Sequence, residues 1–534
     1  MGGSTPETPL VEERPHSGRL SRPLVVIGSA AVVAALTALV FLIRAGGDPA
    51  DAASWPITWE LRSSDNGPLF QFMQDVVAGR PLDWSFSPQV FVFPELPLSA
   101  VAFALAAGDV YRYYLVVAVL NAVALYLALL ALVRVLRRDE PLGAGALRAG
   151  VAMLPLLVLP LVGTSWILSF HLAPTYYIGM YLALIAAPVL LLARTTAARV
   201  AIGAALALTI ASNPLALVFA GPGLALALVL WMRRSGWRST RRPALWVGGV
   251  LVVAGVLRLV FSPLQGTSPL TYVDLEVFQG RLAGIWPYFS FQARDPAAGV
   301  ILTVGVILAI VCLAAAVLAA ITWWRGKGEP DVSLLAVVYL GLVPLGGLAA
   351  TFAALITHFY YFWPVLILPF VLVLLALPRV SLPAAAASGS AALLVVAIAT
   401  GGLTNLGSSD YWGFRNAETR CIDDALPDGV TVGYATFSDA RRLSLTSQTP
   451  FRLIQLNTDG SPHHWLTNRA NTRAEPGRFF YLNGSGDEAT IDPSFVRGRF
   501  GVPDAVVGCS GTQEVWLYTD PSKREAIAEF YGLG

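Results

Sequence analysis

Apolar runs close to the length of a membrane-crossing helix dominate the first 400 positions, separated by short arginine-bearing stretches and longer polar ones. A helix advances about 1.5 Å per residue, so roughly 20 apolar residues cross a hydrocarbon core. About eleven runs meet or approach that length: 23–43, 110–133, 149–168, 176–192, 200–211, 215–231, 243–261, 299–321, 334–352, 359–377 and 382–400. The pattern predicts a polytopic α-helical membrane protein. The first run is too long for a cleavable signal and lacks a small-residue cleavage site, so it reads as a retained span.

Arginines sort the connecting loops. Arg134, Arg137, Arg138 and Arg148, then Arg194 and Arg199, then Arg233 to Arg242, then Arg325 and Lys327, then Arg379 fall in alternate loops. Basic residues in short loops stay on the cytoplasmic side. The N-terminus is therefore expected inside, every long polar loop outside, and the C-terminal tail outside. Residues 1–22, rich in Pro, Glu and Ser, read as a disordered cytoplasmic leader.

After about residue 404 the pattern changes to short β-branched and aromatic runs, 430–435, 451–456, 478–482 and 514–518, separated by turn signals and followed by a helical piece at 523–531. This predicts an extracytoplasmic α+β domain over 404–534, with the transmembrane domain at 23–403. Cys421 and Cys509 flank most of that tail, and an oxidising compartment lets them pair. Cys312 lies inside an apolar run and reads as a buried thiol.

Composition bears this out: 55% of the 534 residues are hydrophobic and 13% charged, with a mean hydropathy of +0.63. A net charge of +2 without a clustered basic face excludes a nucleic-acid partner. Lys327 and Lys523 are the only lysines, so nearly all the positive charge is arginine, and Ala, Leu, Val and Gly dominate, a bias that suggests a GC-rich bacterial genome.

The polar stretch between the first two spans, about 44–107, holds an unusual set of acids: Glu60, Asp65, Asp75 and Asp83. Pro68 and Gly79 bracket a predicted helix in which Leu69, Phe72, Met73, Val76 and Val77 form one apolar stripe. Such a helix is expected to lie on the membrane surface with Gln71, Gln74 and Asp75 toward water. The run 96–107 is too short to span and reads as a second juxtamembrane helix.

The order of a span, an outer loop with an early Asp and a surface helix, then "AGRPLDW" and "FVFPELPLSAVAFALAAGDVYRYYLVVAVLNAVALYLALLALVRVLRR", resembles the opening of GT-C-fold glycosyltransferases. These include mannosyl-, arabinosyl- and aminoarabinosyltransferases that use polyprenyl-phosphate sugars. The resemblance covers about the first 140 residues. It implies that Asp65 is the catalytic base, Asp75 the second acid on the surface helix, and Asp109 with Arg112 the later "G-D-x-x-R" pair.

The chemistry so implied moves a sugar with inversion from lipid phosphate to a glycan, lipid or protein acceptor of the cell envelope. One carboxylate takes the acceptor's proton, and a cation stabilises the departing phosphate. Asp65 is the favoured base and Glu60 its alternative, while Asp75 and Arg112 are supporting or acceptor-binding candidates. Arg258, a charge in an apolar helix, is the first phosphate-binding candidate, followed by Arg281 and His358. Trp286, Tyr288, Tyr177 and Tyr360 are candidate sugar or prenyl contacts. No organic cofactor is expected, and a divalent metal is not favoured. Trp465, Trp516 and Tyr518 read as core aromatics or as a glycan platform. The break "SNPL" at 212–215 puts polar backbone near membrane depth, where it needs cover.

Each assignment has a plainer counterpart. Asp65 before Asn-Gly-Pro suits a helix cap or turn, Asp83 suits a turn, and Arg258 suits interfacial snorkelling. The competing functions are a transporter or flippase of lipid-linked sugars and a non-enzymatic glycan-binding scaffold. A transporter is expected to carry inverted repeats and paired intramembrane charges, which this chain lacks.

Overall fold

A computed structural model describes residues 22–45, 65–162, 171–175, 178–266, 287, 290, 294, 296–326, 337–343, 345–346, 363–399, 411–415, 417–449, 451–473, 475–483, 490–509 and 511–532. The fold is mostly helical, with a small sheet region near the C-terminus. Among the described residues, six helices are long and apolar enough to cross a membrane: Arg22–Arg44, Val110–Leu136, Leu142–Leu161, Leu215–Val260, Ala298–Arg325 and Arg379–Val396. Glu95–Leu105, Ile178–Leu192, Thr196–Ser212 and Ile367–Ala376 are shorter apolar helices.

Fewer helices of spanning length are therefore described than the eleven expected runs. Two of those runs, 215–231 and 243–261, fall in one 46-residue helix, Leu215–Val260, whose regular backbone breaks at Gly236 (φ 76°, ψ 166°). Only glycine adopts that conformation without strain. Other runs form helices of 14 to 17 residues, about 21 to 26 Å at the usual rise. The run 334–352 is described only in part.

Ile178–Leu192 lies at the centre of the helical bundle, with 13 of its 15 residues buried. It packs against Val110–Leu136, Thr196–Ser212 and Leu215–Val260. Burial on nearly every side explains its lack of a polar face.

The C-terminal region contains a five-stranded mixed sheet in the order β3-β2-β5-β7-β6. Its strands are β2 (Val432–Thr436), β3 (Arg452–Leu456), β5 (Phe479–Asn483), β6 (Ala505–Gly508) and β7 (Gln513–Leu517). β2 runs parallel to β3 and β5, whereas β7 runs antiparallel to β5 and β6. The four predicted strand runs fall on β2, β3, β5 and β7, and β6 is additional. Strand alternation divides the core: Tyr434, Phe480, Leu482 and Trp516 pack on one face, Ala435, Phe479, Tyr481 and Val515 on the other. Cys421 and Cys509 form the expected disulfide.

A second, two-stranded sheet is the joint between chain halves. β1 (Trp84–Ser85), in the polar stretch after the first helix, pairs antiparallel with β4 (Thr467–Asn468). The next residue, Phe86, donates its N–H to Leu264 O and accepts from Gly266 N. The segment 83–87 is thus held between the end of Leu215–Val260 and the C-terminal region, which puts the early loop and the tail on the same side of the bundle.

Candidate functional site

Asp65 enters the turn that leads into the helix Pro68–Val77. The N-cap of that helix is Gly67, and Asp65 sits two residues before it in the turn that its Asn-Gly-Pro neighbours predict. Its carbonyl accepts from Thr175 Oγ1 at 2.6 Å, and the fully buried Asn66 lies 3.3 Å from the same hydroxyl. The turn is therefore anchored just before the buried helix Ile178–Leu192. Asp65 itself is half-buried.

Gly67 permits the closest approach. A Cβ there would lie 2.5 Å from Leu445 Cδ1 and 2.7 Å from Arg441 Cδ. The helix Phe437–Thr446 of the C-terminal region consequently sits directly on the start of Pro68–Val77.

The orientation of Pro68–Val77 corrects the sequence-based expectation. Asp75 is buried, at 3% exposure, whereas Val76 and Val77 are 41% and 74% exposed. Asp75 accepts from Arg80 Nη1 at 3.0 Å, Trp84 Nε1 at 3.0 Å and Asn468 Nδ2 at 2.8 Å. The apolar residues used for packing are Leu69, against Trp84 and Phe86, and Phe70, 5.0 Å from the Tyr113 ring. Helical periodicity reports that a stripe exists, but the neighbouring domain decides which side is covered. Asp83, by contrast, has the structural role expected, pairing with Arg469 at 2.5 Å.

Between this loop and the C-terminal region lies a polar cavity of about 500 Å³. Gln71, Gln74, Asp75 and Arg80 come from the loop, Asp109 from the start of Val110–Leu136, and Arg415, Arg441, Ser444, Gln448, Arg452 and Asn471 from the C-terminal part. Arg441 is buried and donates to Gln71 Oε1 at 3.1 Å and to Leu466 O. Asp109 caps its helix by accepting from Arg112 N at 2.8 Å. The Arg112 side chain is exposed, so the expected Asp109–Arg112 relation is made by the backbone.

Arg258 closes a different gap. Its two terminal nitrogens donate to Ala211 O at 3.1 Å and Pro88 O at 2.7 Å. Ser212 accepts from Val90 N through its carbonyl and from Phe93 N through Oγ, both at 3.0 Å. Residues 88–93 thus cover the helix break at 212–214 and satisfy its backbone groups.

The sequence-based reading missed Glu95 in "FPELP". Its side chain is buried and accepts from Gly179 N at 3.1 Å. Burial, the dominant cause, pushes the carboxyl up to about 7, against the smaller opposing effect of that hydrogen bond. An acid between prolines in an apolar run was the available signal. Arg452 was missed as well, because nothing near it in sequence marks a site.

Trp516 and Tyr518 are core residues, at 1% and 0% exposure, which settles their choice in favour of packing. Trp465 is half-buried against the Trp84 cluster. Among the described residues, no group of three His, Cys, Asp or Glu side chains is arranged to hold a metal. Glu60, Arg281, His358, Trp286, Tyr288, Tyr177 and Tyr360 lie outside the described residues. Comparison with known proteins finds no matching family model and no matching curated protein.

Proposed function

We propose that the chain is an inverting, GT-C-like membrane glycosyltransferase that moves a sugar from a polyprenyl-phosphate donor to a cell-envelope glycan, lipid or protein. In this reading about eleven spans cross the plasma membrane, with the N-terminus cytoplasmic and both the first loop and the C-terminal domain outside. The observation that carries it is the polar cavity enclosed where the acid-bearing loop docks onto the C-terminal domain, beside the ends of apolar helices. An acceptor from the aqueous side and a donor from the lipid side can meet at such a junction.

Asp65 is the general base in this reading, on an anchored turn just before the helix Pro68–Val77; Gln71, Gln74 and Asp75 of that helix line the cavity, and Asp65 itself does not. Asp75 is already saturated by three donors and serves as a positioning residue for that helix. Arg258, which holds residues 88–93 in place through Pro88 O, is the donor-phosphate cation in this reading, although it is not among the residues that line the cavity. Arg281 and His358 complete the donor-phosphate site, and no metal is required for the base to act.

Purified full-length protein should consume labelled polyprenyl-phosphate sugar in the presence of an acceptor, and Asp65→Asn should abolish turnover while folding normally. Full turnover in the variant removes Asp65 from the mechanism. Passage of lipid-linked sugar across liposomes without donor consumption favours the transporter instead.

A further inference from the structure

The charged side chains of the cavity are unequal in number and in commitment. Four arginines, Arg80, Arg415, Arg441 and Arg452, face two aspartates, Asp75 and Asp109. Asp75 is occupied by three donors, and Asp109 accepts from the backbone of its own helix. Arg415 pairs with Asp423 at 3.1 Å.

Arg452 is the least satisfied of the four. Its Nη1 donates to Asn471 Oδ1 at 3.1 Å, but its buried Nε has no acceptor among the described residues. A buried donor left unpaired costs about 1–3 kcal/mol, so Arg452 is held at the cavity at some cost to the fold. Desolvation and, next, the neighbouring Arg80 charge hold the Arg452 guanidinium below its usual value. Arg80, which also pairs with Asp75 at 3.0 Å, and Arg452 line the same cavity, and two guanidinium groups on one wall suit an anion. The lining also carries amide and hydroxyl groups, among them Gln71, Gln74, Gln448 and Ser444, beside apolar residues such as Phe70, Val110 and Phe451. Neutral hydrogen-bonding groups of that kind match sugar hydroxyls. A volume of about 500 Å³ falls within the roughly 300–1,000 Å³ usual for small-ligand sites.

We propose that this cavity binds an anionic saccharide, a glycan unit bearing a carboxylate or phosphate, with the anion between Arg80 and Arg452 and the hydroxyls on the surrounding amides. Binding stands on the cavity alone. Its use as the acceptor site rests on the transferase reading above.

Trp84 lines the cavity, so tryptophan emission or calorimetry of the full-length protein in detergent, without donor, can follow binding. The probes are a digalacturonate, glucose 6-phosphate, maltose and inorganic phosphate. The first or second should bind at least about tenfold more tightly than maltose and phosphate, a difference of about 1.4 kcal/mol, and their relative affinities identify the anion. Arg452→Gln should weaken binding about tenfold. Gln448→Glu, an exposed rim change that does not threaten folding, should do so through charge repulsion. Arg497→Gln, on the far side of the domain over Trp516, should bind as wild type. Equal binding of maltose, equally tight binding of phosphate alone, or unchanged affinity in both Arg452→Gln and Gln448→Glu overturns the proposal. Asp65→Asn should bind the saccharide normally, so lost transfer with retained binding bears on the catalytic reading, and lost binding in folded wild type bears on this one.

Discussion

Asn468 Nδ2 donates to Asp75 Oδ2 at 2.8 Å across 393 positions of sequence. That bond, with the strand pair on either side of it, makes the early loop and the C-terminal region one unit around the cavity.

Asp75→Ala is expected to lower stability by about 2–4 kcal/mol, since Trp84 Nε1 and Asn468 Nδ2 lose a buried acceptor while the half-exposed Arg80 regains water. Thermal melting of the purified protein checks this. A melting temperature equal to wild type would show that the Asp75 cluster does not hold the two parts together.

Gly67→Ala tests the same junction sterically. The added Cβ meets Leu445 and Arg441 well inside van der Waals distance, so the loop helix and the C-terminal helix must move apart at about 1–3 kcal/mol. Limited proteolysis should cut the variant faster within 65–90 or 437–470, and an unchanged digestion pattern would contradict the close packing.

Glu95 makes stability depend on pH. With its carboxyl raised from 4.5 to about 7 in the folded chain, both states are protonated at low pH and the group imposes no penalty. As pH rises above about 4.5 the unfolded chain ionises first, so stability falls until about pH 7 and then levels off, by roughly 3 kcal/mol at most. Glu95→Gln should therefore melt higher than wild type at pH 8 and equally at pH 4.5. Identical melting at pH 8 would mean that burial does not raise the Glu95 carboxyl above its ordinary range.

Reduction of Cys421–Cys509, which closes a loop across a sequence separation of 88, is expected to cost about 2–5 kcal/mol. Dithiothreitol or Cys421→Ser should lower the melting temperature of the C-terminal region, and no change on either treatment would remove the bridge from its stability.

Much of the helical layout was legible because a long apolar run has few alternatives to helix. The runs at 23–43, 110–133 and 299–321 appear as helices with ends within a few residues. The strands at 432–436 and 452–456 were legible for a related reason, since β-branched and aromatic runs between turn residues fit a pleated sheet. The facing of Pro68–Val77 was not legible. Its sequence offers apolar residues on several sides, and Asp75 looks solvated until Trp84 and Asn468 are brought to it. Arg258 and Arg452 follow the same logic: one caps carbonyls contributed by two distant segments, the other faces a cavity built from three.

The sequence alone determined the helical class, the positions of most apolar helices, the C-terminal strands, the cysteine pair and the acid-rich loop, because each follows from local pattern or composition. Only the tertiary structure decided that Asp75 is buried, that residues 88–93 cover the break at 212–214, and that the arginines converge on one cavity. Those outcomes depend on which distant surfaces meet. Desolvation and hydrogen-bond satisfaction then act on side chains whose neighbours in sequence carry no record of the encounter.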